Sequence, residues 1–222
     1  MVICCWSAKG GVGTTVVAAA LALVASKRSE RSVLLVDLVG DLPSVLGIPE
    51  PEGPGIGDWL SAGEDVPADG LARLEVAAVR GVSLLTRGTR PLAGNERAEV
   101  LCAVFDAEPR DVIVDCGCLW RSGDGDADVR RSIAARATHS LLVTRPCYVA
   151  LRHAVAAPLT PSAVVLVEEP GRSLDAWAVE EVIGSPVACR VPYDPAIARA
   201  VDAGLLSQRV PRQLERALRG AA

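Results

Sequence analysis

Ser7-Ala8-Lys9-Gly10-Gly11-Val12-Gly13-Thr14-Thr15 is the stretch on which the reading of this chain turns. It follows an apolar run, Val2 to Trp6, and opens a long Ala/Leu/Val segment from Thr14 to Lys27. Strand, glycine loop and helix in that order are the layout of a phosphate-binding loop. Gly10, Gly11 and Gly13 let backbone N–H groups approach and face phosphates. The helix beginning near Thr14 adds the positive end of its dipole, and Thr15 stands where such loops place a magnesium-binding hydroxyl. A glycine turn ahead of a core helix would use the same residues without a ligand. One position departs from the pattern: just before Thr15, where lysine is usual, the chain has Thr14, and the loop's lysine is Lys9. The segment therefore predicts a nucleotide site and, at the same time, slow chemistry.

The rest of the chain fits that start. Its 222 residues are 50% hydrophobic but only 3% aromatic, so the core is built from Val, Leu, Ile and Ala. That is the composition of a buried parallel sheet covered by helices, and the length suits a single domain over residues 1–222. The net charge of −4 makes the molecule as a whole an unlikely nucleic-acid binder while leaving room for a local basic patch. Lys9 and Lys27 are the only lysines, which makes the one inside the glycine loop harder to dismiss. Seven cysteines lie mostly in apolar runs, and the N-terminus has no basic segment of a secretion signal. The expectation is reduced thiols in a cytoplasmic protein, at most peripheral to a membrane or cell pole. The most apolar helix is about half the length that spans a bilayer.

Apolar runs predict strands at Val2–Trp6, Val33–Asp37, Val82–Thr86, Val112–Asp115, Ser140–Thr144, Ala163–Val167 and Val187–Val191. Helical patterns fall at Thr14–Lys27, Asn95–Asp106, Asp128–Ala135, Tyr148–Ala156, Leu174–Ile183, Pro195–Ala203 and Pro211–Arg219. Strands alternating with helices predict a three-layer α/β fold with a mostly parallel sheet. Leu42 to Val66, rich in Pro and Gly, reads as an irregular excursion with a short helix near Ile56–Ser61, and Arg121–Asp128 as a polar loop.

Two further acids join the glycine loop. Asp37 ends the run VLLVD, at the sheet edge where ligands of parallel sheets bind. Asp115 ends VIVD and is followed by Gly117, the form of the second acidic motif of phosphate-loop proteins, whose Asp reaches the magnesium shell. Each alone is equally a strand-end Asp capping a turn; three such elements in order reinforce one another.

With these motifs in place the chain resembles the ParA/MinD superfamily of nucleotide-switch proteins. Its loop is similar to their deviant version, in which a lysine begins the motif: Lys9-Gly10-Gly11-Val12-Gly13. The segment Leu141-Leu142-Val143-Thr144-Arg145-Pro146, followed by Ala150-Leu151-Arg152, resembles their strand and helix after the second acidic motif. Val187 to Pro195 and then Ala200 to Leu205 resemble their adenine-side loop and closing helix. Within the superfamily the chain is most similar to the CpaE/TadZ/septum-site-determining branch, associated with pilus assembly, polar localisation and division, many of whose members lack the second loop lysine.

The resemblance implies a P-loop NTPase fold, ATP and Mg2+ as ligands, and a homodimer formed on ATP binding. It implies that Lys9 reaches across that dimer to the partner's phosphates. Gly10, Gly11, Val12, Gly13 and Thr14 would cradle the phosphates and Thr15 would bind magnesium. Asp37 and Asp115 would lie near the metal and the attacking water, and Pro192 and Asp194 near the base. The chain also departs from the family. The second Asp that many relatives carry two residues after the one matching Asp37 is Val39 here, with Asp41 displaced, and a base-reading Asn is replaced by Glu168 and Glu169. Losing a cation and a water-positioning group costs rate where electrostatics carries the catalysis. The expected protein is an ATP-binding positional scaffold with slow or absent hydrolysis, serving a pilus or secretion machine or a division or partition system through a protein partner. An active DNA-partition ATPase and a nucleotide-free interaction module are the alternatives.

Three features stay outside this reading. Cys116 and Cys118 form a C-x-C near the acidic motif, better read as plain thiols than as cluster ligands. Arg209, Arg212, Arg216 and Arg219 surround Leu214 and Leu218 in a terminal helix that reads either as a solvated helix with one packed stripe or as a membrane or DNA contact. Arg145 and the loop Glu168–Arg172 have no assigned role.

Overall fold

A computed structural model describes residues 1–28, 32–62, 68–92, 95–120 and 125–220. In chain order the elements are β1 (Val2–Ser7), α1 (Thr14–Arg28), β2 (Val33–Asp37), α2 (Leu42–Leu46), α3 (Ile56–Leu60), a 3-10 turn (Ala68–Leu74), β3 (Val76–Val79), β4 (Val82–Leu85), α4 (Asn95–Ala107), β5 (Asp111–Cys118), α5 (Gly125–Arg136), β6 (His139–Thr144), α6 (Tyr148–Val155), β7 (Ala163–Val167), α7 (Ala176–Ile183), β8 (Val187–Val191), α8 (Pro195–Asp202) and α9 (Arg212–Leu218). The strands form one sheet in the order β3-β4-β2-β5-β1-β6-β7-β8. Among the described residues every pairing is parallel except β3 with β4.

Consecutive residues of a strand point to opposite faces, and here both faces are apolar. Cys4 and Trp6 of β1, Val36 of β2 and Val114 of β5 enter a core covered by α3, α4, α5 and α6. Ile3, Cys5, Leu35 and Ile113, their neighbours in sequence, enter a second core covered by α1, α2 and α9. This is the expected three-layer α/β/α arrangement. The polar handle of Trp6, deep in the first core, is satisfied: its indole N–H donates to Ser140 Oγ at 2.9 Å. Helix α1 is buried without a break from Val17 to Val24. Its sequence there is apolar on every side, which is the mark of a helix enclosed by the core rather than one lying on its surface.

The sequence missed β3, the short antiparallel strand on the sheet edge, whose four residues are at most partly buried, and α2. Helix α2 ends at Gly47, whose φ of +69° closes the helix. A Cβ there would sit 2.0 Å from Gly204 O, so this glycine also lets α2 meet the turn after α8. Of the expected loops, residues 63–66 of the excursion and 121–124 of the Arg121–Asp128 stretch lie outside the described residues.

The central strand matters most for function. β1 lies between β5 and β6, so the chain leaves it in one direction and returns to its other side. At such a switch point the strand ends part and leave a crevice. The glycine loop, Asp37, Asp115 and Arg145 all lie at the C-terminal ends of these neighbouring strands.

Candidate functional site

The glycine loop leaves β1 at Ser7 and turns into α1 at Thr14. Gly11 and Gly13 have φ of +74° and +95°, the left-handed region that a side chain disfavours. A Cβ built on Gly10, Gly11 or Gly13 would meet nothing within 4 Å. These glycines are thus not required for packing inside the chain. Two of them set the backbone path, and the space above all three is open to a ligand. Val12 is the loop's anchor, buried at 2% exposure in the core under α1. Val17 N donates to Gly13 O at 2.9 Å and starts the helix, so the preceding N–H groups, which no helical carbonyl can satisfy, face the crevice. Thr14, at the usual lysine position, is buried, and Thr15 is half-buried beside Asp115.

Asp37 and Asp115 face each other across the β2–β5 register. Asp37 Oδ1 accepts the N–H of Val39 at 2.9 Å and of Gly40 at 2.7 Å, and Oδ2 accepts that of Leu42 at 3.0 Å. This carboxylate therefore holds the start of α2 in place. Burial raises its pKa, and the three N–H bonds oppose the rise. Asp115 is different. Oδ1 accepts Gly117 N at 3.0 Å, while Oδ2 is buried with no hydrogen bond of normal geometry. Burial first, then the charges of Asp37 and Asp41, push Asp115 up to about 7, with Thr15 and the Gly117 N–H opposing. A buried carboxylate oxygen without such a hydrogen bond is rare, and a cation beside it would favour its charged form.

Magnesium fits this set. It keeps several waters, takes few protein ligands and completes its octahedron with phosphate oxygens. The residues present offer it the Thr15 hydroxyl and Asp115 Oδ2 beside an open phosphate cradle. Among the described residues no group of three His, Cys, Asp or Glu could hold a metal without such help.

Asp41, displaced in sequence, is not remote in space. It is exposed at the start of α2, its side chain caps nothing, and its charge reaches both buried acids. Val39 takes the other path and packs on the end of β5 beyond Asp115: a Cβ on Gly117 would lie 2.6 Å from Val39 Cγ2.

On the other side of the loop a cavity of about 640 Å³ runs from Gly11, Val12 and Gly13 past Arg145 to Pro192 and Asp194. The structure thus brings the glycine loop and the expected base-side residues to one space large enough for a nucleoside. Asp194 lines it while capping α8, accepting Ala196 N at 2.8 Å. Glu168 and Glu169 line it too, but each is engaged: Arg190 Nε donates to Glu168 Oε1 at 2.7 Å, and Arg172 lies 2.7 Å from Glu169. Lys9 does not line this cavity; it is exposed at the loop's outer edge. Its charge and that of Arg172 reach the Cys147 thiol, whose pKa is lowered chiefly by the N–H of Ala150 at the start of α6.

The remaining candidates separate. Cys116 is buried and Cys118 exposed, and all seven cysteines are free. Helix α9 turns Leu214 and Leu218 into the core against α1, so its apolar stripe is occupied and not offered to a lipid surface. Its basic side lines a second, larger cavity of about 1040 Å³ with Arg199, Arg209, Arg212 and Arg216. These four make no ion pair among the described residues. No described helix is long and apolar enough to cross a membrane.

No protein-family model and no curated protein sequence matches this chain. Solved structures do. A ParA family ATPase from Chlorobium tepidum TLS is 22% identical, with 98% of this chain and 95% of that one aligned at a TM-score of 0.78. The septum site-determining protein MinD from Pyrococcus horikoshii OT3, solved with Mg-ADP, is 20% identical over 98% and 93% of the two chains, with a TM-score of 0.75. A chain of the MinC:MinD cell division complex of Aquifex aeolicus is 20% identical over 98% and 94%, with a TM-score of 0.74. The fold is that of the ParA and MinD ATPases, a P-loop α/β fold, aligned nearly end to end.

Proposed function

We propose that this chain is an ATP- and Mg2+-binding positioning protein of the ParA/MinD type, a dimer in its ATP state, with slow or absent hydrolysis. One observation carries the reading: an open glycine cradle stands next to the buried Asp115, whose Oδ2 makes no hydrogen bond of normal geometry although Thr15 lies beside it. When bound, magnesium would neutralise phosphate charge and polarise the phosphoryl group. Gly10 to Thr14 would hold the phosphates through main-chain amides, and Thr15 and Asp115 would hold the metal. Asp37 would keep the β2–α2 turn in shape, and Pro192 and Asp194 would flank the base. The MinD structure solved with Mg-ADP supports the ligand pair, and the MinC:MinD complex supports a protein partner.

Slow turnover follows from the side chains. Thr14 brings no charge to the phosphates, and Val39 brings no carboxylate to a water. ATP would favour a dimer because Lys9, exposed at the loop edge, gains a phosphate partner only from a second subunit; that differential contact makes the nucleotide a switch. The absent loop lysine supports the CpaE/TadZ/septum-site-determining branch, hence a cytoplasmic scaffold for a pilus, secretion or division machine. Calorimetry with ATP and Mg2+ on wild type and Lys9→Ala, with light scattering, tests the reading. The expected result is one ATP per chain, negligible turnover, and a dimer that Lys9→Ala loses. A chain that stays monomeric at saturating ATP refutes the switch.

A second reading, an active DNA-partition ATPase, is favoured by the four arginines that line the larger cavity without an ion pair among the described residues. It requires DNA binding that weakens steeply with salt and turnover that DNA stimulates.

A further inference from the structure

We infer that Arg145 supplies, from β6, the phosphate-binding cation that the glycine loop lacks at Thr14. The inference rests on the nucleotide reading proposed above and names a binding residue for it.

Three observations converge on this side chain. The first is its place. β6 pairs directly with β1, and Trp6 lies opposite Leu142, so the turn that Arg145 opens after β6 lies beside the glycine loop. Arg145 accordingly lines the same cavity as Gly11, Val12 and Gly13. The second is its lack of company. Arg145 is half-buried, its Nε is shielded from water, and that nitrogen has no hydrogen-bond partner. A guanidinium is charged at every relevant pH, so an unpaired buried N–H on it is a costly arrangement that a ligand anion would relieve.

The third is that the nearby acids, the exposed Asp202 apart, are otherwise engaged. Glu168 is held by Arg190, Glu169 by Arg172, and Asp194 caps α8. Asp202, the remaining acid on the cavity wall, is exposed on α8. None of them pairs with Arg145. The backbone fixes the side chain's origin: Cys147 N donates to Arg145 O at 2.7 Å in a tight turn before α6.

The charge balance points the same way. Asp37, Asp41 and Asp115 make the metal side acidic, and Thr14 gives nothing back. A cation on the cavity side would strengthen the hold on a triphosphate, and a guanidinium meets phosphate oxygens with two parallel N–H bonds where an ammonium offers a point charge.

The test is a rescue. Mg-ATP affinity is measured by calorimetry for wild type, Arg145→Ala, Arg145→Gln, Thr14→Lys and the double variant Thr14→Lys/Arg145→Ala, with melting of the nucleotide-free proteins as a folding check. Arg145→Gln keeps much of the stem and removes the charge, so it reports on the charge even where the Ala variant unfolds. Losing a charged hydrogen bond predicts roughly ten- to hundredfold weaker binding for the Ala and Gln variants, and recovery of most of that loss when Thr14→Lys is added. A purely structural role for Arg145 would not be rescued by a lysine on another element. Wild type that binds Mg-ATP while both Arg145 variants bind within twofold of it overturns the inference and leaves the nucleotide reading intact. Wild type that binds no nucleotide overturns both.

Discussion

Replacing Asp115 by Asn should make the ligand-free protein less sensitive to pH. Asp115 sits at about 7 in the folded chain against an ordinary 3.8, because burial and the charges of Asp37 and Asp41 disfavour its ionised form. Between those values the folded state binds a proton that the unfolded state has released, so stability falls as pH rises from about 4 to 7 and then levels off. The full shift corresponds to about 4 kcal/mol at 1.36 kcal/mol per unit. Roughly 2.5 kcal/mol of it falls between pH 5 and pH 8. Asp37, raised in the same direction, adds to the slope. Asn keeps an acceptor for the Gly117 N–H and carries no charge. Urea unfolding of both proteins in EDTA, without nucleotide, at pH 5 and pH 8 measures the difference. Asp115→Asn is expected to gain about 2 kcal/mol on wild type between the two pH values, and to lose Mg-ATP binding. Site residues held against their own stability commonly show this exchange of stability for function. Parallel pH profiles for the two proteins would refute the assignment of Asp115 as a carboxylate strained for a cation.

Gly13→Ala, at φ +95° with open space around it, should cost about 1–2 kcal/mol through backbone strain alone and abolish nucleotide binding by re-aiming the loop amides; thermal melts and calorimetry on one preparation separate the two effects. Gly47→Ala combines a φ of +69° with a Cβ 2.0 Å from Gly204 O, and should lose about 3 kcal/mol in urea unfolding. Asp41→Asn should abolish whatever slow ATP turnover wild type shows while sparing affinity, since Asp41 is the exposed acid whose charge reaches the metal side; unchanged turnover assigns the water elsewhere. Iodoacetamide should modify Cys147 more slowly in Lys9→Ala, because the Lys9 charge helps lower that thiol's pKa; mass spectrometry of the labelled chain reads the rate.

Where the sequence was legible, it was because one period dominated. The seven apolar runs became β1, β2 and β4–β8, with Val33–Asp37, Ala163–Val167 and Val187–Val191 matching residue for residue. β2 is buried along its whole length and its apolar run has sharp ends, whereas β5 continues past the expected end at Asp115 to Cys118, where it still pairs with β1. β3 escaped because its residues are half-exposed, and α2 because Pro43 and Gly47 read as loop punctuation although Pro suits the first turn and Gly the end of a helix. The glycine loop could be placed from sequence because glycine spacing dictates backbone path. Side-chain engagement could not. Nothing in VLLVD says that Asp37 spends both oxygens on its own turn while Asp115 Oδ2 makes no hydrogen bond of normal geometry. Nor does LVTRP say that Arg145 lines the cavity of the glycine loop, because that depends on β6 lying beside β1. The terminal arginines read correctly as a basic face, yet only the packing of Leu214 and Leu218 shows that the apolar face is taken.

The claim beneath the rest is that a triphosphate can be held here without a lysine before Thr15. A crystal structure with Mg2+ and a non-hydrolysable ATP analogue tests it most directly. The phosphates should lie on the amides of Gly10 to Thr15, with the metal between Thr15 and Asp115 and the base beside Pro192 and Asp194. A crevice that stays empty, or is filled by the protein's own side chains, at saturating nucleotide would contradict it.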